Sequence, residues 1–447
     1  MTHRPETHAS ARTHVQALLD RHFSTNLPRF ERLWNYYRNP LRAVGTGAAA
    51  AQGRWYQLAQ EDSLPARLTG RIVPGSPITD DRNPARREVV IENDIAWRIH
   101  TLVDFMFGKP IRIHSTSADP ALRMIIERTL DTVLEASGGI GLLQDAALLG
   151  HVFGHVDLIV RIDESREGAG AVRIEPIDPR RGVAVLNPTD YRIIESYIVA
   201  TPVSSASQPT QRRTTPGAPR DLRLQVVTRS GWTLEENGRE LSHGLHAWTS
   251  GQVPIVHIQN ASQPFHFEGL SEVEPLIPLQ DELNTRLSDR ANRITLQSFR
   301  MYLAKGIDGF ANQPVAPGQL WVTDNKDASI EAFGGDLPTP GEDRHIDELR
   351  DALDKASGVP PLASGVVQAK IGNLSSANAL RITLMGALSK TARKRVTYGR
   401  GLAEVCRLVL QALDHLGVLH TTPADRGVQL TWPDPLPEDL RELLAAA

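Results

Sequence analysis

Apolar residues recur at three and four along residues 15–37, where Leu18, Leu19, Phe23, Leu27, Phe30, Leu33 and Tyr37 make one helical face, interrupted at Pro28 and closed by Asn39-Pro40. Residues 44–81 are rich in Gly, Ala and Pro and read as a connector with a short helix around Trp55. A clearer helix follows, with Asn93 as its cap and Ile95, Ile99, Leu102, Val103 and Met106 on one face before Gly108 and Pro110. Two more helices are predicted at 121–137 and 140–149. After Gly154 the period falls to two, as Val156, Leu158 and Val160 oppose Asp157, Ile159 and Arg161, and Val172 and Ile174 continue the pattern. Segments 182–186, 191–200, 222–228 and 253–258 extend this β region. Turn chemistry at Asp178-Pro179, Asn187-Pro188 and Asn237-Gly238 separates them, and the Ser, Thr, Pro and Gln of 201–220 predict a loop.

The character changes at Ser271-Glu272-Val273-Glu274, a capping-box sequence that predicts a helix start, with Pro278 bending its first turns. Leu276, Leu279, Leu283, Leu287, Ala291 and Ile294 form its apolar stripe, and the helix is predicted to run to Lys305-Gly306. That stripe is thin for its length, which suits packing beside further copies of the chain. Short strands are predicted at 319–323 and 329–333. A second helix, 342–356, turns Ile346, Leu349, Ala352 and Leu353 inward and an acidic face outward. Residues 357–376 are broken by Gly and Pro, a long helix spans 376–416 with Gly386, Gly399 and Gly401 as kinks or close contacts, and a strand follows at 428–432. The fold class is α+β.

Composition then removes whole classes of function. A net charge of −3 over 447 residues is neither a basic nucleic-acid wrapper nor an acidic disordered tail, so any DNA contact is local and light. The single cysteine, Cys406, lies among Val405, Leu408 and Val409 and reads as a core residue. The opening MTHRPETHAS has no apolar signal core, and no apolar run approaches the roughly 18 residues of a membrane span. Synthesis in the cytosol, without membrane insertion, is the expectation.

Candidate chemistry is sparse. His151 and His155 have the i, i+4 spacing of a metal pair, but Gly154 ends the helix between them and residue 152 is Val where a zincin motif has Glu, so two partly buried histidines are the better reading. Phe107-Gly108-Lys109-Pro110 lacks the earlier Gly and the following Ser or Thr of a phosphate loop. No catalytic residue, metal or cofactor is implied. One charge asymmetry stands out: Arg381, Lys390, Arg393, Lys394, Arg395 and Arg400, with no acidic residue among them. It is read first as a solvated or inter-subunit face pairing with the acidic helix 342–354 and second as a direct phosphate contact.

The order of parts carries a resemblance. Trp34-Asn35-Tyr36-Tyr37, then Asn93-Asp94, then Asp104-Phe105-Met106-Phe107-Gly108-Lys109-Pro110, then a β region, a helix, an excursion, a helix, a glycine-bearing loop and a long helix resemble the portal proteins of tailed bacteriophages, of the SPP1-like variety. The resemblance covers about residues 18–432. It implies an elongated subunit with a mixed α/β wing at 1–270, a first stem helix at 271–305, a small β clip at 306–340, a second stem helix at 341–357, a tunnel loop at 358–376, a long wing helix at 377–416 and a reduced crown at 417–447.

The resemblance further implies a ring, usually of twelve copies, at one capsid vertex, through which double-stranded DNA enters and leaves. The implied partners are the terminase packaging motor, the head-tail adaptor, and the major capsid and scaffolding proteins. Its site would be the virion, with host cytoplasm during assembly. Val366, Val367, Gln368, Lys370, Ile371 and Asn373 would face DNA from the tunnel loop, and Gln319, Trp321, Asp324, Lys326 and Phe333 would meet motor and adaptor from the clip. Leu276, Leu279, Leu283, Leu287 and Ile294 would pack the stem. A conduit must hold DNA without trapping it, which suits a near-neutral chain with one lysine in that loop. The alternatives are another virion structural protein, an adaptor or minor capsid protein, and a metal-dependent enzyme built on His151 and His155.

Overall fold

The computed structural model describes residues 15–43, 56–69, 88–203, 222–298, 301–305, 327–333, 340–364 and 381–436. The chain divides into two units, one of residues 1–39, 94–277 and 354–447, the other of residues 40–93 and 278–353.

The first unit is organised by a core between helices and a three-stranded sheet. Its helices are α1 (Leu27–Arg38), α3 (Asp94–Phe107), α4 (Pro120–Ala136), α5 (Gly139–Phe153) and α8 (Met385–His415). The predicted stripe of α3 is buried at each of its five positions. Helix α4 starts where Asp119 accepts a hydrogen bond from the Ala121 amide at 2.9 Å with Pro120 in its first turn. Gly154 stops α5 in the left-handed region at φ +92°, which a side chain would disfavour, and the next residue begins β4 (His155–Ile162).

Strand β4 lies between β11 (Ile255–Gln259) and β5 (Val172–Ile177), antiparallel to both. Both its faces are covered. Val156, Leu158 and Val160 join the helical core with Val405, Val409 and Leu413 of α8, and Ile159 on the opposite face joins Tyr197, Val227 and Ile255. Burial of each such side chain contributes about 1.5–3 kcal/mol.

Five antiparallel strands make the second sheet of this unit: β6 (Gly182–Leu186), β7 (Ile194–Pro202), β8 (Leu222–Thr228), β9 (Gly231–Glu236) and β10 (Arg239–Leu245), each paired with the next. Its middle shows the expected alternation, because Tyr197 faces the Ile159 cluster while Ile198 and Ala200 face Leu19 of the first helical segment. The hairpin β9–β10 was not predicted. Asn237 and Gly238 take positive φ at its turn, as a tight hairpin requires, but most of β10 is exposed, so it has no apolar alternation to read. A two-stranded sheet of β3 (Arg112–Ser115) and β14 (Val428–Thr431) completes the unit.

In the long helix α8, Gly399 and Gly401 produce no break. Gly401 is a close approach, where a β-carbon would overlap the Ile258 side chain of β11.

The second unit holds β1 (Leu41–Ala43) paired with β2 (Tyr56–Leu58), the short α2 (Ala66–Thr69), most of α6 (Ile277–Ser298), β12 (Met301–Lys305) paired with β13 (Ser329–Phe333), and most of α7 (Pro340–Ser357). Two expectations are corrected. The helix predicted to reach Lys305 ends at Ser298, and Met301–Lys305 pairs as a strand instead; and Tyr56–Leu58, beside the predicted helix at Trp55, is extended. Trp55 itself, the strand predicted at 319–323 and the start of the long helix at 376–380 lie outside the described residues.

Candidate functional site

The basic run begins just before α8 and continues through its N-terminal half, and its geometry divides the six residues into two kinds. Lys390 and Lys394 stand one turn apart and converge on one carboxylate, with Lys390 Nζ 2.7 Å and Lys394 Nζ 2.8 Å from the two oxygens of Glu272. The Lys394 side chain is 2% exposed and that of Glu272 9%, so this is a buried ion cluster. Burial alone would raise the Glu272 carboxyl, but Lys394 and then Lys390 outweigh it and hold it down to about 2. Burial is also the largest influence on Lys394 and lowers it to about 8, with Glu272 offsetting only part, because two ammonium groups share one carboxylate. His151 lies in the same interior, its Nδ1 donating to the Ala147 carbonyl at 2.5 Å, and burial drives it down to about 3.

Arg395 donates to the Phe105 and Pro433 carbonyls at 3.1 and 2.9 Å, and its guanidinium lies 5.3 Å from the Trp432 ring centre. Arg381 pairs with Asp434 at 2.7 Å. Arg393 and Arg400 are exposed. Within the chain Arg381 pairs with Asp434, and Lys390 and Lys394 pair with Glu272, so these three are not the solvated part of the run. Glu342 and Asp343 of α7 pair with Arg293 and Arg290 of α6 inside the second unit.

A second buried network centres on Asp157 of β4. Tyr197 donates to it at 2.6 Å and His257 Nδ1 at 2.7 Å, and these partners keep the Asp157 carboxyl below its usual range although burial works the other way. An aspartate orienting a histidine is half of a proton-transfer site. The other half is blocked, since His257 Nε2 is bonded to the Phe267 carbonyl at 2.7 Å and the Phe267 ring stacks on the imidazole at 3.8 Å. His155 faces His257 and Phe30, away from the Ala147 contact of His151, and among the described residues no three His, Cys, Asp or Glu side chains are grouped to hold a metal. Cys406 is buried, which pushes its thiol up to about 12 and removes the thiolate a nucleophile needs.

In the second unit α6 does something the apolar stripe did not announce. Gln280, Asn284, Ser288 and Asn292 stand at four-residue spacing along one side, opposite the extended backbone of residues 88–92. Asn292 accepts from the Glu88 amide at 2.8 Å and donates to its carbonyl at 2.7 Å; Ser288 accepts from Val90 at 3.0 Å and reaches its carbonyl at 3.2 Å; Asn284 accepts from Glu92 at 3.0 Å, and Gln280 donates to the Glu92 carbonyl. Four helical residues rise about 6 Å and two extended residues about 6.6 Å, so one polar side chain per turn meets every second residue of the strap. The helix thus takes the place of a neighbouring strand.

The positions named for stem packing divide accordingly. Leu276, Leu283 and Leu287 are buried within the chain itself and Leu279 half-buried, so their burial needs no second copy; Ile294 is 48% exposed. Phe333 lies in β13, paired with Met301. Val366, Val367, Gln368, Lys370, Ile371 and Asn373, and likewise Gln319, Trp321, Asp324 and Lys326, lie outside the described residues. Glu272, Asp434, Asp157 and the polar ladder were missed. Only the ladder had a signal, its four-residue spacing.

The family described as phage portal protein, SPP1 Gp6-like, matches residues 16–447. The chain belongs to that family, and with it to the structural components of the virion. No curated protein matches it. Among solved structures it is similar to a chain from the neck of an empty gene transfer agent particle, at 14% identity with 75% of this chain and 79% of that one covered and a TM-score of 0.43. It is also similar to a chain from the virion of a native gene transfer agent particle, at 15% identity, 78% and 81% coverage and a TM-score of 0.42. Among the described residues no helix is long and apolar enough to cross a membrane.

Proposed function

We propose that twelve copies of this chain form a ring at one capsid vertex, the passage for double-stranded DNA during packaging and ejection and the seat of the packaging motor and then the head-tail adaptor. Capsid and scaffolding proteins would contact the outside of the ring during assembly in the host cytoplasm. The first unit then serves as the wing, α6 and α7 as the stem, the β12–β13 pair with segment 306–340 as the clip, segment 358–376 as the tunnel loop, and α8 as the long wing helix behind it. The observation that carries this division is the order helix, strand pair, helix within a unit separate from the one holding the large apolar core.

The charge distribution supports a conduit. Four of the six basic residues on or before α8 are engaged inside the chain, so the helix offers DNA few cations, and a weak grip permits sliding. Lys370 is the residue we assign to renewable phosphate contact. Native mass spectrometry and negative-stain projections of the purified protein should show a ring with a central hole; a stable monomer at high concentration would remove the proposal. Lys370→Ala should leave the ring intact and lower packaged DNA per particle, and an unchanged DNA content would remove the loop contact.

A further inference from the structure

Among the described residues the most exposed large apolar side chain is Phe265, at 88%, and the next is Leu245, at 82%. Both belong to the first unit, at opposite ends of β4. Phe265 stands in the loop after β11, whose last residue, Gln259, is paired with His155 at the start of β4. Leu245 ends β10 and lines an open groove of about 640 Å³ with Trp232, Leu234, Trp248, Leu416 and Ile162, the last residue of β4. Seven steps of extended chain, about 23 Å, separate the two ends of that strand.

The Phe265 backbone lies in the left-handed region at φ +65°, where a bulky side chain is strained. The loop is fastened on both sides of it. The Tyr191 hydroxyl accepts from the Phe265 amide at 3.2 Å, and Gln259 Nε2 donates to the His266 and Phe267 carbonyls at 2.8 and 3.0 Å. These bonds keep Phe265 away from the groove of its own chain. An apolar ring held out in water on a strained, fastened loop adds little to its own fold, and is what a preorganised anchor for another surface requires.

The groove suits such an anchor. Arg161 and Arg223 on it are already paired with Glu175 and Glu236, so an uncharged aromatic ring enters without stranding a charge. Its carboxylate, Glu164, has no ion-pair partner among the described residues, and the exposed His266 beside Phe265 carries an N–H to meet it. Anchor and groove at opposite ends of one strand are two different patches, the arrangement of a head-to-tail contact that can close into a ring. One aromatic side chain buries about 150–250 Å², against about 800 Å² per partner in a stable interface, so it is a single hot spot of a larger contact.

We propose that Phe265 of each subunit is seated in the groove beside Leu245 of the next. This rests on the ring proposed above. The first test is Phe265→Asn, since Asn tolerates positive φ. Its rings should dissociate at a protein concentration about tenfold or more above that of wild type by native mass spectrometry, while the thermal midpoint of the dissociated subunit does not fall. The second joins Phe265→Cys and Leu245→Cys in one chain; Cys406 is buried and takes no part. Oxidised rings should give a ladder of covalently linked subunits on a non-reducing denaturing gel, which either single variant lacks. Phe265→Asn rings as stable to dilution as wild type, a lowered subunit midpoint, or double-cysteine rings that release only unlinked monomer would overturn this inference alone. A wild-type chain that forms no ring would overturn the ring and the anchor together.

Discussion

Helices α8 and α6 solve the same packing problem with opposite chemistry. The C-terminal half of α8 sinks Val405, Leu408, Val409, Leu410 and Leu413 into an apolar core, where contacts are many and non-directional. Helix α6 has buried Leu283 and Leu287 beside equally buried Gln280, Asn284 and Ser288, and its polar side chains are bonded one by one to the strap at 88–92. Apolar burial supplies stability, about 1.5–3 kcal/mol for each large side chain, and leaves register loose. A hydrogen-bond ladder supplies about 0.5–1.5 kcal/mol net per bond but permits one register only. The first unit is therefore held by depth and the second by alignment.

The sharpest departure from that contrast is the charge cluster inside the apolar unit, so it gives the largest expected effect. Glu272→Ala leaves Lys394 buried without its carboxylate and should cost about 3–5 kcal/mol of stability, read as a lower denaturant midpoint. Lys394→Met in the same chain should recover most of the loss, because the orphaned charge is then gone. A single variant within about 1 kcal/mol of wild type would mean that this cluster is solvated in the folded protein.

The same cluster predicts an acid limb. The folded Glu272 carboxyl, at about 2, lies below its ordinary value of 4.5, so the unfolded chain takes up the proton first as pH falls. Its contribution is complete above pH 4.5 and is lost as pH falls from there to about 2, at most about 3 kcal/mol. Urea midpoints measured between pH 6 and 3 should fall less steeply for Glu272→Gln than for wild type. Equal slopes would assign the acid sensitivity to other carboxylates.

How much of this was legible follows the same division. Periodicity found α3, α4, α5 and the buried stretch of α8 because each has an apolar face that is used as such. It failed at β10, whose residues are nearly all exposed, and at Met301–Lys305, where a helical pattern was extended into a strand that pairs with Ser329–Phe333. At Ser271 the box was half right: Ser271 Oγ accepts from the Val273 and Glu274 amides, but the Glu274 carboxylate turns to Arg29. Glu272 was read only as part of that box, since its partners lie more than a hundred residues away, and one sequence does not show which distant charges meet. The apolar stripe of α6 drew attention from the polar stripe beside it, whose partner is backbone and leaves no side-chain signature at 88–92.

The ladder gives the next effect in size. Asn284 accepts from the Glu92 amide and donates to Gln60 at 2.9 Å, fully buried, so Asn284→Ala removes the acceptor of the Glu92 amide and should cost about 1–3 kcal/mol. Hydrogen exchange localises it. The Glu92 amide should lose protection while amides of β4 and β11 keep theirs, and a uniform loss across both units would contradict a ladder that acts on alignment.

The smallest effect decides what aligns α6. Arg290 pairs with Asp343 at 3.2 Å, with 32% and 63% of the two side chains exposed, and Arg290→Ala should cost less than about 1 kcal/mol. Raising the salt concentration should shrink that difference further, whereas the Asn284→Ala loss, being between neutral groups, should be nearly salt-independent. If Arg290→Ala instead matched Asn284→Ala and faded in salt, the second unit would be held by ion pairs between its two helices, and the ladder would be a consequence of that pairing.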